Sequence, residues 1–320
     1  MPLPAPFQSL RLPVIASPMF IVSTPELVIA QCKAGIVGSF PALNARPSAQ
    51  LDEWLQRIGE ALTGVAGAAP YAVNLIVHKT NTRLDEDLAI CAKHKVPIVI
   101  TSLGAREDVN AAVRGWGGVV LHDVIDDAFA RKAIEKGADG LIAVAAGAGG
   151  HAGSQSPFAL MQEIRDWFDG PVALSGAIAN GRAILAAQAL GADFAYIGSP
   201  WIATPEANAP DGYKQAIVDG RAADIIYSNL FTGVHGNYLR ASIAASGLDP
   251  DDLPESDPSK MDFGSGGTTS AKAWKDIWGS GQGIGAVRAV ETVADRVAGL
   301  ERSYRQAKQD LFARLGSENT

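Results

Sequence analysis

One pattern dominates this chain: an apolar segment followed by an amphipathic segment, repeated eight times at intervals of about 25 residues. Apolar segments of this kind are typical of parallel strands buried on both faces. Strands that alternate with helices predict a parallel sheet, and eight such units predict a closed (β/α)8 (TIM) barrel, which typically takes about 250 residues. The predicted strands are residues 14–20, 36–41, 71–77, 97–103, 118–124, 140–146, 171–177 and 194–200. The helices predicted after the first seven are residues 25–34, 48–62, 82–94, 106–114, 126–136, 157–168 and 181–190.

The chain has 320 residues, and most of the length that a barrel does not need lies after the eighth strand. We expect residues 204–285 to form a mostly helical substrate or lid domain, with helical segments near 213–218, 222–232 and 237–246. A Pro/Asp-rich stretch, 248–260, and a glycine/serine loop, 264–270, follow. Residues 1–203 and 286–320 would form the barrel, whose eighth helix is predicted at 286–315. Residues 231–238 and 274–282 are expected to line the pocket.

Composition excludes several classes of protein. The net charge of −7 argues against nucleic-acid binding. Cys32 and Cys91 have no Cys-x-x-Cys partner, so neither a disulfide framework nor a cysteine zinc site is expected. The remaining histidines, His78, His94 and His235, lack metal-ligand spacing, and we predict no metal. No signal peptide or run of about 18 apolar residues is found, so the expectation is a cytoplasmic protein that does not bind membranes.

The most informative stretch is 140–157, where a predicted strand runs into a loop that contains Gly147, Gly149, Gly150, His151 and Gly153. Ligands of such barrels bind at the carboxyl ends of the strands, where this loop begins. Glycine backbone lets a flat or phosphorylated ligand approach closely. The imidazole is the only side chain of this loop with a pKa near neutrality. The loop is therefore predicted to be the reacting end of a cofactor site.

Two further glycines end the last two strands. The seventh strand closes with Ser175, Gly176 and Ala177, and the eighth with Gly198 and Ser199. The loops after these two strands are the usual phosphate cradle of such barrels, where backbone N–H groups and a nearby helix N-terminus can hold a dianion. A ligand that carries a phosphate is predicted here.

Polar or soft side chains at other strand ends allow two interpretations each. Asn74 interrupts an apolar strand, and its amide either bonds neighbouring backbone or bonds a heterocycle in the barrel mouth. His122 is either a core histidine, oriented by Asp123, or a site residue. Met19, which follows Pro18 after the first strand, is expected to pack, either in the core or against a ring.

Together the motifs resemble the nitronate monooxygenase family, also called 2-nitropropane dioxygenases, over nearly the whole chain. Residues 148–153 (Ala-Gly-Gly-His-Ala-Gly) are similar to the family's Ala-Gly-Gly-His-x-Gly signature. Residues 175–182 resemble its Gly-Gly-Ile-x-Asp/Asn-Gly-Arg segment, and 190–193 with 197–199 resemble its Leu-Gly-Ala-x…x-Gly-Thr segment. Residues 16–19, 74–75 and 278–282 fit as well.

The resemblance implies FMN as cofactor and His151 as catalytic base. It implies phosphate binding by the backbone of Gly176, Ala177, Gly198 and Ser199, with the Ser199 hydroxyl helping. It implies that Asn74 and the backbone of Pro18 and Met19 contact the isoalloxazine. The same motifs make the remaining cofactor-binding candidates Ala16, His122, Gly149, Gly150, Ser175 and Ile197.

Three positions depart from the family pattern. Val144 replaces a usually polar residue seven positions before the histidine, Ala177 replaces a glycine, and His122 stands where some members have lysine. The predicted reaction is oxidation of an alkyl nitronate or nitroalkane by O2 to a carbonyl compound and nitrite. The alternative is an NAD(P)H-dependent FMN reductase of a quinone or an enoyl thioester. A flavin-free isomerase or aldolase would need a lysine or glutamate at a strand end, and none stands out. A flavin-binding protein without catalysis leaves His151 unexplained. A homodimer is compatible with the sequence, which does not fix the assembly.

Overall fold

The computed structural model describes residues 3–256 and 276–316 and confirms the predicted (β/α)8 barrel. The parallel sheet runs in the order β1-β8-β7-β6-β5-β4-β3-β2. A parallel bridge between Ile15 and Val37 joins β1 to β2 and closes the ring. The strands are β1 (Val14–Ala16), β2 (Gly38–Pro41), β3 (Tyr71–Ile76), β4 (Ile98–Ser102), β5 (Val119–Val124), β6 (Gly140–Val144), β7 (Val172–Ser175) and β8 (Phe194–Ile197).

The seven predicted helices are present within three residues of their expected ends. Their starts are marked by local signals: the Asp126 carboxylate accepts a hydrogen bond from the Phe129 N–H, and Pro25 opens the first helix. The helices of the described chain are α1 (Pro25–Lys33), α2 (Ser48–Leu62), α3 (Leu84–Lys93), α4 (Glu107–Gly115), α5 (Asp127–Glu135), α6 (Pro157–Arg165), α7 (Gly181–Ala189), α8 (Ser199–Ile202), α9 (Asp211–Asp219), α10 (Arg240–Ala245) and α11 (Val293–Gly316).

Alternating side chains of the strands fill the barrel interior. Apolar residues form its lower part, and Phe7 packs against Phe194 there, with ring centroids 4.7 Å apart. One step nearer the carboxyl ends, the inward positions become polar, because strand residues two apart point to the same face. We call the following inward residues, which line the cavity above the barrel, the polar layer: Ser17, Asn74, Ser102, Asp123, Ser175 and Tyr196. The barrel core therefore ends in a hydrogen-bonding floor.

The expectation of a mostly helical insertion is wrong for part of its described length. Residues 225–228 and 236–239 are strands, Ile225–Ser228 and Gly236–Leu239, which pair in antiparallel fashion. The second of them pairs with Gly150–His151 of the glycine loop. We call these three strands the small sheet. Its third strand comes from a distant part of the chain, and for this reason local sequence could not reveal it.

The last barrel helix begins later than predicted, at Val293 rather than at residue 286. Gln282–Ala286 forms a 3-10 turn instead. Thr292 marks the true start, because its hydroxyl oxygen accepts a hydrogen bond from the N–H of Asp295 at 3.2 Å.

The insertion has a small apolar cluster of its own, in which Tyr238, Ile243 and Ile277 are buried, but Ile217 and Leu239 belong to the main core. The proposed division into a barrel and a lid domain stays a prediction. The predicted glycine/serine loop at 264–270 and the pocket position 274 lie outside the described residues. Within the described chain, no helix has the length and apolar character needed to cross a membrane.

Candidate active site

A cavity of about 1430 Å³ opens at the carboxyl ends of the barrel strands. This volume exceeds the roughly 300–1,000 Å³ of a pocket for one drug-sized ligand. The cavity can therefore hold a cofactor and a substrate together. It brings together twelve of the residues singled out from the sequence, namely Pro18, Met19, Asn74, His122, Gly149, Gly150, His151, Ser175, Gly176, Ala177, Gly198 and Ser199.

Ala16 and Ile197 do not reach this cavity. Both are fully buried within strands. The Ile197 carbonyl accepts a hydrogen bond from the Ser17 N–H at 2.7 Å, and the Ala16 carbonyl accepts one from the Ser39 hydroxyl. The two residues build the barrel wall and only position their cavity-lining neighbours.

The predicted phosphate end is formed by the loops after β7 and β8. Ser199 is prepared to donate a hydrogen bond, because its oxygen already accepts one from the Gly281 N–H at 2.8 Å and its own proton remains for a ligand. Ala177 is different, since its N–H donates to the Gly147 carbonyl at 3.3 Å. The backbone donors to a phosphate would then be those of Gly176, Gly198 and Ser199.

The N-terminus of α7 is not a free anion site. Its Gly181 N–H donates to the Ser303 hydroxyl at 2.6 Å, and its Ala183 N–H donates to the Asn180 side chain at 2.9 Å. These two N–H groups are therefore used within the protein and are not available to a phosphate.

The glycine loop owes its composition to packing as well as to ligand access. A Cβ atom added to Gly149 would lie 2.7 Å from the Gly281 nitrogen, whereas one added to Gly150 would meet nothing within 4 Å. Gly150 instead has φ +67°, a conformation that favours glycine. Only the Gly150 side of the loop is open.

His151 is held at the edge of the small sheet, opposite Gly236. Its Nε2 lies 3.0 Å from the Thr232 hydroxyl, and that hydroxyl donates to the Val234 carbonyl at 2.9 Å. With the Thr232 proton donated to Val234, Nε2 is assigned as the donor to the Thr232 oxygen, and the ring lone pair is then assigned to Nδ1. Burial lowers the pKa of His151 to about 4, so the ring is neutral at pH 7.

Asn74 takes part in a hydrogen-bonded line through the polar layer. Its Nδ2 donates to the Ile100 carbonyl at 3.1 Å and to the Ser102 hydroxyl oxygen at 2.7 Å. The Ser102 hydroxyl in turn donates to Asp123 Oδ2 at 2.5 Å. Both Asn74 protons are used within the protein, so only its Oδ1 can serve a ligand, as an acceptor.

His122 and Asp123 occupy opposite faces of β5. His122 shares a face with Val120 and Val124, and its Nδ1 lies 2.6 Å from the Thr101 hydroxyl. Asp123 shares the face of the interior residue Leu121. Sequence reasoning assigned Asp123 only an orienting role, and it did not single out Ser102 or Tyr196. The signal that could have found Asp123 is its position two residues after Leu121 in the predicted strand, which puts both residues on the same face.

The backbone around the cavity is strained. Ile21, Leu103 and Ala177 line it with φ of 65°, 61° and 55°. These are left-handed values that cost non-glycine residues about 1–2 kcal/mol each. Such strain tends to collect at functional sites. Within residues 3–256 and 276–316, no cluster of three or more His, Cys, Asp or Glu side chains is arranged to hold a metal ion.

A family model described as nitronate monooxygenase matches residues 80–250, more than half of the chain. The chain belongs to the nitronate monooxygenase family. The members are flavin-dependent oxidoreductases, so the protein is an enzyme of that kind, and the family predicted from the motifs is confirmed.

Individual relatives agree with this assignment. The chain is 28% identical to a nitronate monooxygenase of Paraburkholderia phytofirmans, with 96% of each chain covered. A nitroalkane oxidase structure from Streptomyces ansochromogenes has a TM-score of 0.79 at 24% identity and covers 95% of this chain and 99% of its own. FabK from Thermotoga maritima has a TM-score of 0.78 at 22% identity, over 96% and 97%. At these identities the two structures support the fold alone.

Proposed function

We propose that this protein is an FMN-dependent nitronate monooxygenase, which oxidises alkyl nitronates with O2 to carbonyl compounds and nitrite and acts on nitroalkanes after removing their α-proton. The observation that carries the proposal is His151, an imidazole that burial keeps neutral at pH 7 and that lines the cavity beside Gly150, where an added Cβ atom would meet nothing within 4 Å. A carbon acid needs such a base, whose unprotonated form must dominate at the working pH.

The residues present fit FMN on physical grounds. The Ser199 hydroxyl and the Gly176 and Gly198 backbone offer donors to a phosphate, without a neighbouring carboxylate among the residues that form these two loops. Asn74 Oδ1 offers an acceptor, which suits the imide N–H of an isoalloxazine. Met19 is partly buried at the cavity and supplies an apolar surface for a ring.

The chemistry that bound FMN would supply is electron transfer, from the nitronate to the flavin and from the flavin to O2. The chain supplies the rest. His151 Nδ1 takes the α-proton of a neutral nitroalkane, and Thr232 keeps the ring oriented while this happens. The Gly149–Gly281 contact keeps the glycine loop in place. Burial keeps the imidazole uncharged before the reaction, and the imidazolium formed afterwards stabilises the nitronate anion.

The cellular setting is part of the proposal. Cys32 and Cys91 are buried free thiols, and burial raises the pKa of Cys32 to about 12. Unreactive thiols of this kind fit a reducing, cytoplasmic location. A homodimer is compatible with the fold.

The size of the cavity favours a second candidate, an NAD(P)H-dependent FMN reductase of a quinone or an enoyl thioester. A direct test incubates the purified yellow protein in air with propane-2-nitronate and measures nitrite, acetone and O2 uptake. Nitrite and acetone formed in equal amounts support the monooxygenase. Absence of nitrite, together with NADH-dependent reduction of a quinone, supports the reductase and overturns the proposal.

A further inference from the structure

Asp123 is the only carboxylate of the polar layer, and it has no part in proton removal by His151. It follows the interior residue Leu121 by two positions on β5, which directs it into the top of the barrel. Val144, from the neighbouring strand β6, also lines the cavity and offers no hydrogen bond. At this part of the cavity floor, the hydrogen-bonding side chain is therefore Asp123 of β5 and not the residue of β6.

The hydrogen bonds around Asp123 fix which of its oxygens can meet a ligand. The Ile100 carbonyl can only accept, so the Asn74 amide must turn its NH2 group toward Ile100 and Ser102. Ser102 accepts from Asn74 and donates its single proton to Asp123 Oδ2. In this arrangement Oδ2 is an acceptor, so a proton that Asp123 holds is carried by Oδ1.

We propose that Asp123 is a second acid–base residue of this site, with Oδ1 in hydrogen-bond contact with the isoalloxazine of the bound flavin. The inference rests on the proposed function, because it needs a flavin in the cavity. In its neutral form Asp123 donates a hydrogen bond to the ring. In its ionised form it places a negative charge beside the ring and opposes the approach of an anionic nitronate.

The surroundings of Asp123 support an exchangeable proton. Burial raises its pKa to about 6, against the Ser102 hydrogen bond, which favours the anion. Tyr196 faces it from β8, and burial together with the Asp123 charge raises the pKa of that phenol well above its usual value, so Tyr196 stays neutral. The other ionisable groups of the described cavity wall are Arg46, His78, His122, His151, Tyr213 and Asp276.

Two readouts on the flavin-bound protein test this assignment. The first is 13C NMR of protein labelled at the aspartate carboxyl carbon, titrated from about pH 4 to 9. The second is the visible flavin spectrum over the same range. We expect one carboxyl resonance to titrate with a midpoint near pH 6 and to disappear in Asp123→Asn. We expect the flavin spectrum to shift with the same midpoint in the wild type and to stay constant in Asp123→Asn.

Two more variants complete the design. Asp276→Asn removes an exposed carboxylate of the same cavity and should leave both titrations in place. Ser102→Ala retains Asp123 and should raise both midpoints, because it removes the hydrogen bond that favours the anion. This variant also tests the proposal if Asp123→Asn does not fold.

The outcomes separate this proposal from the proposed function. If the carboxyl titrates in this range and the flavin spectrum does not change with it, the proposed contact between Asp123 and the flavin is overturned. Midpoints that Ser102→Ala leaves unchanged overturn it as well. Protein that binds flavin and shows the matched titrations, yet forms no nitrite from a nitronate, supports Asp123 and overturns only the monooxygenase. Protein that binds no flavin overturns both.

Discussion

Gly149 and Gly281 face each other so closely that a side chain on either would overlap the other's backbone. A Cβ atom on Gly149 would lie 2.7 Å from the Gly281 nitrogen, and one on Gly281 would lie 2.9 Å from the Gly149 nitrogen. The loop that carries His151 is thereby fixed to the segment that also donates to Ser199. This contact joins the predicted catalytic and phosphate ends of the cavity.

Substituting one of these glycines should separate the two segments. We expect Gly149→Ala to lower the free energy of unfolding by about 1–3 kcal/mol, as overpacking does, and to weaken FMN binding. Urea denaturation and fluorescence titration with FMN measure the two effects. Gly115→Ala is the control, since a Cβ there meets nothing within 4 Å and its φ is not in the left-handed region. Equal stability of the two variants would contradict the packing argument.

Replacing Ala177 by glycine should increase the stability of the protein slightly. The left-handed φ of 55° destabilises the folded protein by about 1–2 kcal/mol when the residue is alanine. Glycine removes this strain, but its greater conformational freedom in the unfolded chain offsets about 0.4–1 kcal/mol of the gain. Ala177→Gly is therefore expected to stabilise the protein slightly in urea denaturation, by up to about 1 kcal/mol. Ala179→Gly, in the same loop without positive φ, should destabilise it. The opposite order would show that Ala177 is not strained.

Removal of the proposed base should affect the two substrate types unequally. His151→Asn is expected to reduce kcat/KM for a neutral nitroalkane by at least about 100-fold, the usual contribution of a general base. A preformed nitronate needs no base and should lose much less. Steady-state oxygen uptake on both substrates measures this. Equal losses would remove His151 from the role of base.

Thr232 should act through His151 and not on the substrate. Thr232→Val removes the acceptor that keeps the Nε2 proton in place, so Nδ1 no longer carries the lone pair in every molecule. We expect a lower kcat for the nitroalkane, little change in KM and a shifted pH profile. Thr232→Ser, which keeps the hydroxyl, should retain the wild-type kcat and pH profile. A change confined to KM would instead place Thr232 in substrate binding.

The buried histidines should make the protein sensitive to acid. Burial lowers the pKa of His122 to about 4, compared with 6.5 for an exposed imidazole. A folded-state pKa below the unfolded one contributes stability above about pH 6.5, and this is lost as the pH falls toward 4. Between about pH 7 and 5, wild type should lose about 2 kcal/mol more stability than His122→Asn in urea denaturation. Equal losses would mean that His122 is not held neutral.

Sequence was sufficient for the barrel because each strand and helix carries its own local signal. It also singled out His151 and Asn74, because a polar residue that interrupts or follows an apolar strand stands out in the sequence, and both residues line the cavity. It could not find the Ser102–Asp123 pair, because the register of β4 against β5, in which Thr101 pairs with His122, is set by the closed sheet.

The misplaced expectations have the same kind of cause. Successive residues of a strand face opposite sides of the sheet. Ser17 and Gly198 therefore line the cavity, whereas their neighbours Ala16 and Ile197 in the same motifs are buried in the barrel wall. The small sheet was missed because the strand Gly236–Leu239 pairs with residues more than 80 positions earlier. The periodicity of apolar residues within a segment, on which the helix prediction is based, carries no information on such distant strand pairing.

Oxidation of a nitronate by the flavin is tested most directly by mixing the flavin-bound protein with an alkyl nitronate in the absence of oxygen and, in a parallel sample, with NADH. We expect the nitronate to bleach the yellow flavin rapidly, NADH to leave it unchanged, and air to restore the colour. Rapid bleaching by NADH, with no response to the nitronate, would contradict this expectation.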